Sequence, residues 1–293
     1  LRFQELAVDK TEILDLTKIE SLLQTRKLAR PSGAANELWQ TIDSTNSRAL
    51  TLQSDGIMVV ARQQTAGRGR LGRTWMSPLD AGVYVSFRVS PEPFSEQLSL
   101  VTMATGLACV KAVQASTGII LGIKWVNDLI LVDRKVGGIL AELVGVNIPA
   151  VAPNQPSLVQ SSLTNRALII GIGINISRPI EDPPPELAST MTWLSESGQS
   201  DVDPNLLVAQ IAFELEKCLE ALSEGMNDFI LDGWRRYSVT LGQRVVARVG
   251  SQTIEGDAID IDQSGALLLN TTAGLRTLHA GEVSIRSASG GYV

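Results

Sequence analysis

Cysteine and histidine are nearly absent: the 293 residues include two cysteines, Cys109 and Cys218, and one histidine, His279. Neither cysteine belongs to a CxxC pair, and both lie in apolar, helix-like stretches. A disulfide framework is therefore excluded and buried free thiols are expected. No group of His, Cys, Asp and Glu has metal-ligand spacing, so no metal held by the protein alone is expected. Basic charge is also in the minority, with 25 Lys and Arg against 31 Asp and Glu and a net charge of -6. Such a field repels phosphate backbones and anionic lipid, which makes nucleic acid a poor default partner. Apolar runs of signal-peptide length are missing from the first ten residues. The most apolar region, Leu98 to Ile123, is interrupted by Lys111, Gln114, glycines and threonines, and reads as a buried helix followed by a strand. No membrane association and a cytoplasmic location are expected, and no internal repeat is visible.

What is present is ordinary for a soluble globular chain: 44% hydrophobic and 19% charged residues, enough to bury a large core. A helix is expected around Ile13 to Leu28, ending before Pro31-Ser32-Gly33. Leu38 to Ile42 reads as a strand, and Ser44-Thr45-Asn46 as the cap of a helix running to Leu52. Strands follow at Ile57 to Ala61 and Val83 to Val89, a helix at Leu98 to Gln114, and a hairpin at Ile119 to Trp125 and Leu129 to Val132. Gly138 to Leu143 and Leu168 to Asn175 are further strands, separated by Gly145 to Arg166, which reads as a long surface loop. Asp203 and Pro204 open a helix with Leu207, Ile211, Leu215, Leu219 and Leu222 on one stripe, and a shorter helix carries Phe229, Ile230 and Trp234. After Ser238 short strands alternate with glycine turns, the pattern of a small all-β domain. The expected division is 1–36 as an N-terminal extension, 37–238 as the catalytic domain and 239–293 as the β domain.

The segment Gln64 to Trp75 is the most informative. Gly67, Gly69 and Gly72 alternate with Arg68, Arg70 and Arg73, which suits a loop wrapped around an anion: unobstructed backbone amides plus guanidinium forks. The blander alternative is an exposed basic turn. Two phosphate motifs match by accident. The glycines fit GxGxxG and Gly67 to Thr74 nearly fits GxxxxGK[ST], but Pro78 and the strand from Val83 leave no room for the helix that both require. Empty, such a loop is expected to be open and mobile, because its arginines repel one another until an anion arrives.

Lys124 to Leu129 puts a lysine beside a tight Asn127-Asp128 turn, with its ammonium expected at the rim of a sheet. Alone, a solvated strand-end lysine is the commoner arrangement. Lys135 to Leu140 starts a strand with Gly137 and Gly138, and Gly171 to Asn175 alternates glycines along another, leaving a flat groove.

Taken in order, Asp43 to Asn46, Gln64 with Gly67 to Arg73, Lys124 to Leu129, Lys135 to Leu140 and Gly171 to Asn175 resemble the biotin protein ligases over residues 39–286. The resemblance implies an α+β fold: a central mixed β-sheet flanked by helices, related to class II aminoacyl-tRNA synthetases, with a small Src-homology-3-like β-barrel at the C-terminus. It implies that biotin and MgATP give biotinyl-5′-adenylate, from which biotin passes to a lysine of the biotin carboxyl carrier protein. By position in the family pattern, Ser44, Thr45, Asn46, Gln64, Gly67, Arg68, Gly69, Arg70, Lys124, Gly137 and Gly138 are implied to contact biotin. Arg68, Arg70, Trp75, Asn127, Lys135 and Asn175 are implied to contact ATP or the adenylate. Lys124 and Arg70 would carry the catalytic charge, Mg²⁺ would arrive with ATP, and His279 is read as structural.

The pattern departs from the family in three places. Only 43 residues precede Ser44, which is short for a winged helix-turn-helix, so no specific DNA binding is expected. Val126 stands where many relatives carry proline, and the loop Gly145 to Arg166 is long. A homodimer is left open. A lipoate ligase is the runner-up, and a non-catalytic effector sensor the rival from another class.

Overall fold

The computed structural model describes residues 14–92, 94, 97–145, 166–198, 202–280, 283–287 and 292. The loop read between Gly145 and Arg166 lies, apart from its two ends, outside the described residues. A seven-stranded sheet forms from β1 (Glu37–Trp39), β2 (Met58–Ala61), β3 (Gly82–Val89), β4 (Gly122–Lys124), β5 (Asp128–Leu131), β6 (Arg134–Gly145) and β7 (Arg166–Asn175). Its order is β1-β2-β3-β7-β6-β5-β4; β1 and β2 are parallel and every other pair is antiparallel, which makes the sheet mixed.

One face of this sheet carries the main core. Helix α3 (Leu98–Thr117) is apolar on all sides and long enough to cross a membrane, but it is buried against the sheet and against α5 (Pro204–Ser223) and α6 (Asn227–Tyr237). It ends at Gly118, whose φ of 77° suits a left-handed cap. The other face carries α2 (Thr45–Thr51), packed over β2, β3 and β7, with Ser44 Oγ accepting from Ser47 N at 3.4 Å as the cap. The short α4 (Pro185–Ala188) leads to Thr190 and Thr192, whose backbone pairs with Lys135 at the start of β6.

The first helix is shorter than the expected Ile13 to Leu28. Helix α1 spans Leu16–Leu22, and the chain then turns extended at Leu23. Tertiary contacts override the local periodicity: the buried Glu216 of α5 accepts from the backbone amides of Arg26, Lys27 and Leu28 at 2.6–3.2 Å. These amides therefore bond to a carboxylate and not to a continuing helix.

The C-terminal strands β8 (Arg244–Val249), β9 (Gln252–Ile261), β10 (Leu267–Thr271), β11 (Gly274–Leu278) and β12 (Val283–Ser287) form an antiparallel sheet of order β11-β10-β9-β8-β12. The expected barrel is not closed, because the outer strands β11 and β12 do not pair with each other. This sheet docks beside the end of β4: Trp125 Nε1 donates to Gly265 O at 3.0 Å and Trp125 N to Thr240 Oγ1 at 2.8 Å.

Candidate functional site

The bare part of the sheet follows from strand register. Side chains alternate along a strand, so on β7 Leu168, Ile170, Ile172 and Ile174 enter the main core. Ala167, Ile169, Gly171 and Gly173 point the other way, Ala167 and Ile169 into the small cluster with Ala49 of α2. Register then aligns Tyr84, Gly173, Gly138, Asp128 and Lys124 across five strands, with Ser86, Gly171 and Leu140 in the next row. Helix α2 covers one end of this face, and the other end opens into a cavity of about 310 Å³.

Lys124, Arg70, Trp75, Asn127, Lys135 and Asn175 all line that cavity, as do Gly69 and Gly138. Lys124 is not at the rim. It is buried, with 3% of its surface exposed, because the C-terminal sheet and Tyr292 cover it. Its Nζ lies 3.9 Å from the Tyr292 ring centroid and donates to the Tyr292 carbonyl. Burial, followed by the nearby Arg286, pushes the Lys124 ammonium down to about 7. Asp128 faces it from β5, bonded at 2.6 Å to Lys135 Nζ and at 2.6 Å to the Tyr292 hydroxyl. Burial works against the Asp128 charge, yet Lys135 and the Tyr292 hydroxyl hold its carboxyl below the usual range.

Trp75 lies flat on the glycine strip. A Cβ at Gly173 would stand 2.3 Å from its Nε1, and one at Gly138 would stand 3.4 Å from its ring and 3.3 Å from Lys135 Nζ. Its Nε1 is buried and has no hydrogen-bond partner among the described residues, so a donor remains unused in the cavity wall. Asn175 Nδ2 is held by Thr192 O at 3.0 Å.

The Gly-Arg loop takes a folded conformation. Gly69 N donates to Arg73 O at 2.7 Å and Trp75 N to Gly67 O at 2.8 Å, and Leu71 and Gly72 turn the chain at φ of 57° and 70°. Gly67 admits no side chain, since a Cβ there would stand 2.4 Å from Trp75 O. Two of the arginines find partners within the protein. Arg68 pairs with Glu142 at 2.6 Å, and Arg70 donates to Asn127 Oδ1 at 3.1 Å and to the carbonyl of Ala280. Arg68 thus turns away from the cavity wall, whereas Arg70 contributes to it.

The residues around the start of α2 form an adjoining wall. Gln64 Oε1 accepts from Thr45 N at 2.8 Å, its Nε2 donates to Ser77 Oγ at 2.8 Å, and Asn46 packs over Gly171. Ser44 serves as the cap of α2. Gly137 sits on the opposite face, where a Cβ would meet Gly173 O at 2.8 Å and Leu129 at 3.0 Å; it permits strand pairing and takes no place in the cavity. His279 is exposed and does not line the cavity. Sequence reasoning missed Asp128, Ser86 and Glu142 as site residues, although polar residues on the alternating positions of apolar strands are a readable signal. Arg286 and Tyr292 reach the cavity through the tertiary fold alone.

Comparison with known proteins agrees with this geometry. The biotin/lipoate A/B protein ligase family matches residues 38–151, and the biotin protein ligase C terminal domain matches residues 240–286. The chain is 33% identical to a biotin--[acetyl-CoA-carboxylase] ligase of Paracoccus denitrificans, over 82% of this chain and 96% of that protein. It is 30% identical to the bifunctional ligase/repressor BirA of Bacillus spizizenii over 79% of this chain, and spans 66% of that longer protein. The structure of a biotin protein ligase from Aquifex aeolicus in complex with biotin and ATP superposes with a TM-score of 0.72 at 30% identity, covering 86% of this chain and 99% of that one.

Proposed function

The chain belongs to the biotin protein ligase family, and from that premise we propose that it joins biotin to a protein lysine in two steps on the bare face of the seven-stranded sheet. In the first step a biotin carboxylate oxygen attacks the α-phosphate of ATP; the new O–P bond forms as the bond to pyrophosphate breaks. In the second step the ε-amine of an acceptor lysine attacks the adenylate carbonyl, AMP leaves with the bonding electrons, and the amine loses a proton.

Both substrates of the first step are anions, so the residues' task is to hold positive charge between them. Lys124 and Lys135 supply it on the cavity floor, and Arg70 supplies it from the loop, pinned by Asn127. Lys124 is the residue assigned to the reacting carboxylate and phosphate. Its burial removes competing water, and anions entering the cavity would restore its proton. The wall of Thr45, Asn46 and Gln64 takes biotin, with Gly67 and Gly69 permitting close backbone approach. Trp75 and Asn175 border the adenylate. The carboxyl carrier protein of acetyl-CoA carboxylase is the acceptor, as the name of the Paracoccus relative suggests. The described residues hold no group of three or more His, Cys, Asp or Glu that could cage a metal. That suits a Mg²⁺ carried in on the triphosphate oxygens. Residues 37–238 hold the adenylation site and 239–293 cover it. The net charge of -6 disfavours nucleic acid as a partner, and action in the cytoplasm without specific DNA binding is part of the same proposal.

The observation that carries this reading is the alignment of the buried Lys124 with Asp128 and with Gly138 and Gly173, on which Trp75 packs, across one row of the sheet. Incubation with ATP, biotin and a biotin carboxyl carrier domain should add one biotinyl group to the carrier by mass, with biotin-dependent pyrophosphate release. Lipoate transfer in preference to biotin would reassign the substrate, and absence of any pyrophosphate release would leave a binding protein.

A further inference from the structure

Glu142 belongs to neither catalytic charge nor cavity wall, yet it joins two elements of the site. It projects from β6 on the bare face, opposite Ile169 of β7. One carboxylate oxygen accepts from Arg68 Nη2 at 2.6 Å and the other from Asn46 Nδ2 at 3.0 Å. A carboxylate can only accept, so Asn46 must turn its amide nitrogen toward Glu142 and its oxygen away. That oxygen lies 2.6 Å from Ser86 Oγ, which is fully buried on β3. Ser86 has one proton, and Asn46 takes it. The contact between Ser86 Oγ and Thr45 Oγ1, 2.7 Å long, must then be donated by Thr45. Thr45 cannot also donate across the 3.1 Å to Gln64 Oε1, which keeps only the 2.8 Å bond from Thr45 N.

From this ordering we infer that Glu142 is a positioning residue that sets the hydrogen-bond polarity of the biotin wall, keeping Thr45 Oγ1 and Gln64 Oε1 free to accept. Such a wall suits a ligand ring that presents N–H donors, as the ureido ring of biotin does. Without Glu142 only the long 3.4 Å bond to Leu140 O holds the Asn46 amide this way round, and the amide can turn over and donate to Ser86. Ser86 then donates to Thr45 and Thr45 to Gln64, so acceptor capacity is filled from within the protein before any ligand arrives. A site built to bond a polar group discriminates through the groups left unpaired when the wrong ligand binds.

The inference rests on the assignment of Thr45 and Gln64 to biotin. Its test uses steady-state adenylation in the full chain with biotin and with an analogue whose ring N–H is methylated. Glu142→Ala should raise the KM for biotin about tenfold while the KM for ATP changes less than about threefold, and should shrink the preference for biotin over the analogue. Glu142→Gln should stay within about threefold of the wild type on all three, because its amide oxygen can still accept from Asn46 while the more exposed Arg68 moves aside. If Glu142→Ala melts below the assay temperature, Ser86→Ala replaces it; that change removes the acceptor of the Thr45 proton, which then goes to Gln64, and should give the same pattern. An unchanged biotin KM in the alanine variant, or equal damage from alanine and glutamine, would overturn the inference. Thr45→Val separates the two levels. If it weakens biotin while Glu142→Ala does not, only the role of Glu142 falls; if it leaves biotin untouched, the assignment of the wall falls and the inference with it.

Discussion

The two faces of β7 differ more than any two strands do. Toward α3 the strand presents Leu168, Ile170, Ile172 and Ile174, all buried in the main core; toward the cavity the same stretch presents Gly171 and Gly173. The packed face supplies the rigidity that lets the bare face keep its shape, since a strip of glycine has no side chains of its own to lock it. Stability and chemistry are therefore separable by one-residue steps along a single strand.

The largest effects should show that separation. Ile172→Ala should lower unfolding stability by about 2–5 kcal/mol, as large-to-small changes in a core do, with KM values for the folded enzyme unchanged. Chemical denaturation alongside kinetics at low temperature checks it, and a KM change would show that the faces communicate. Lys124→Ala should act chiefly on the chemistry, cutting biotin-dependent pyrophosphate release about 10²–10³-fold while the chain stays folded at the assay temperature. A rate within tenfold of the wild type would remove Lys124 from its assigned role. Gly173→Ala is a smaller perturbation of the bare face: the new methyl displaces Trp75, and the KM for ATP should rise about tenfold with stability nearly intact, given the usual worth of a base stacked on an aromatic ring. Unchanged ATP binding would mean that Trp75 does not border the nucleotide.

A separate test of the bare face concerns pH. Lys124 ionises near 7 in the folded chain against 10.5 in its ordinary state, so the unfolded chain binds more protons between those values. Its contribution to stability is fully present above pH 10.5, declines as pH falls, and is lost below about pH 7. The melting temperature of the wild type minus that of Lys124→Met should therefore rise with pH across this window. A flat difference would indicate that the ammonium is better solvated than its burial implies.

Much of this was legible in the chain itself. Ser44 as a cap, the glycine strip of β7, and Asp203-Pro204 as the start of α5 are local signals, and each sits where local physics puts it. The burial of Lys124 was not legible, because the covering residues come from the C-terminal region, more than 150 positions away. The partner of Arg68 was not legible either: the cluster of Arg68, Arg70 and Arg73 is evident in sequence, whereas Glu142 meets Arg68 only through sheet register. Helix α1 stops early for a similar reason, since Glu216 captures amides that local periodicity assigns to the helix.

The glycine strip also bears on how such an enzyme could escape an inhibitor. A compound bound over this strip rests on Asn46 and Trp75, the side chains that Gly171 and Gly173 seat. Any side chain added there strikes the protein first, at 2.0 Å from Asn46 Oδ1 or 2.3 Å from Trp75 Nε1. Resistance by substitution in the floor would then disable the residues that bind the substrates, so escape would have to arise from the walls.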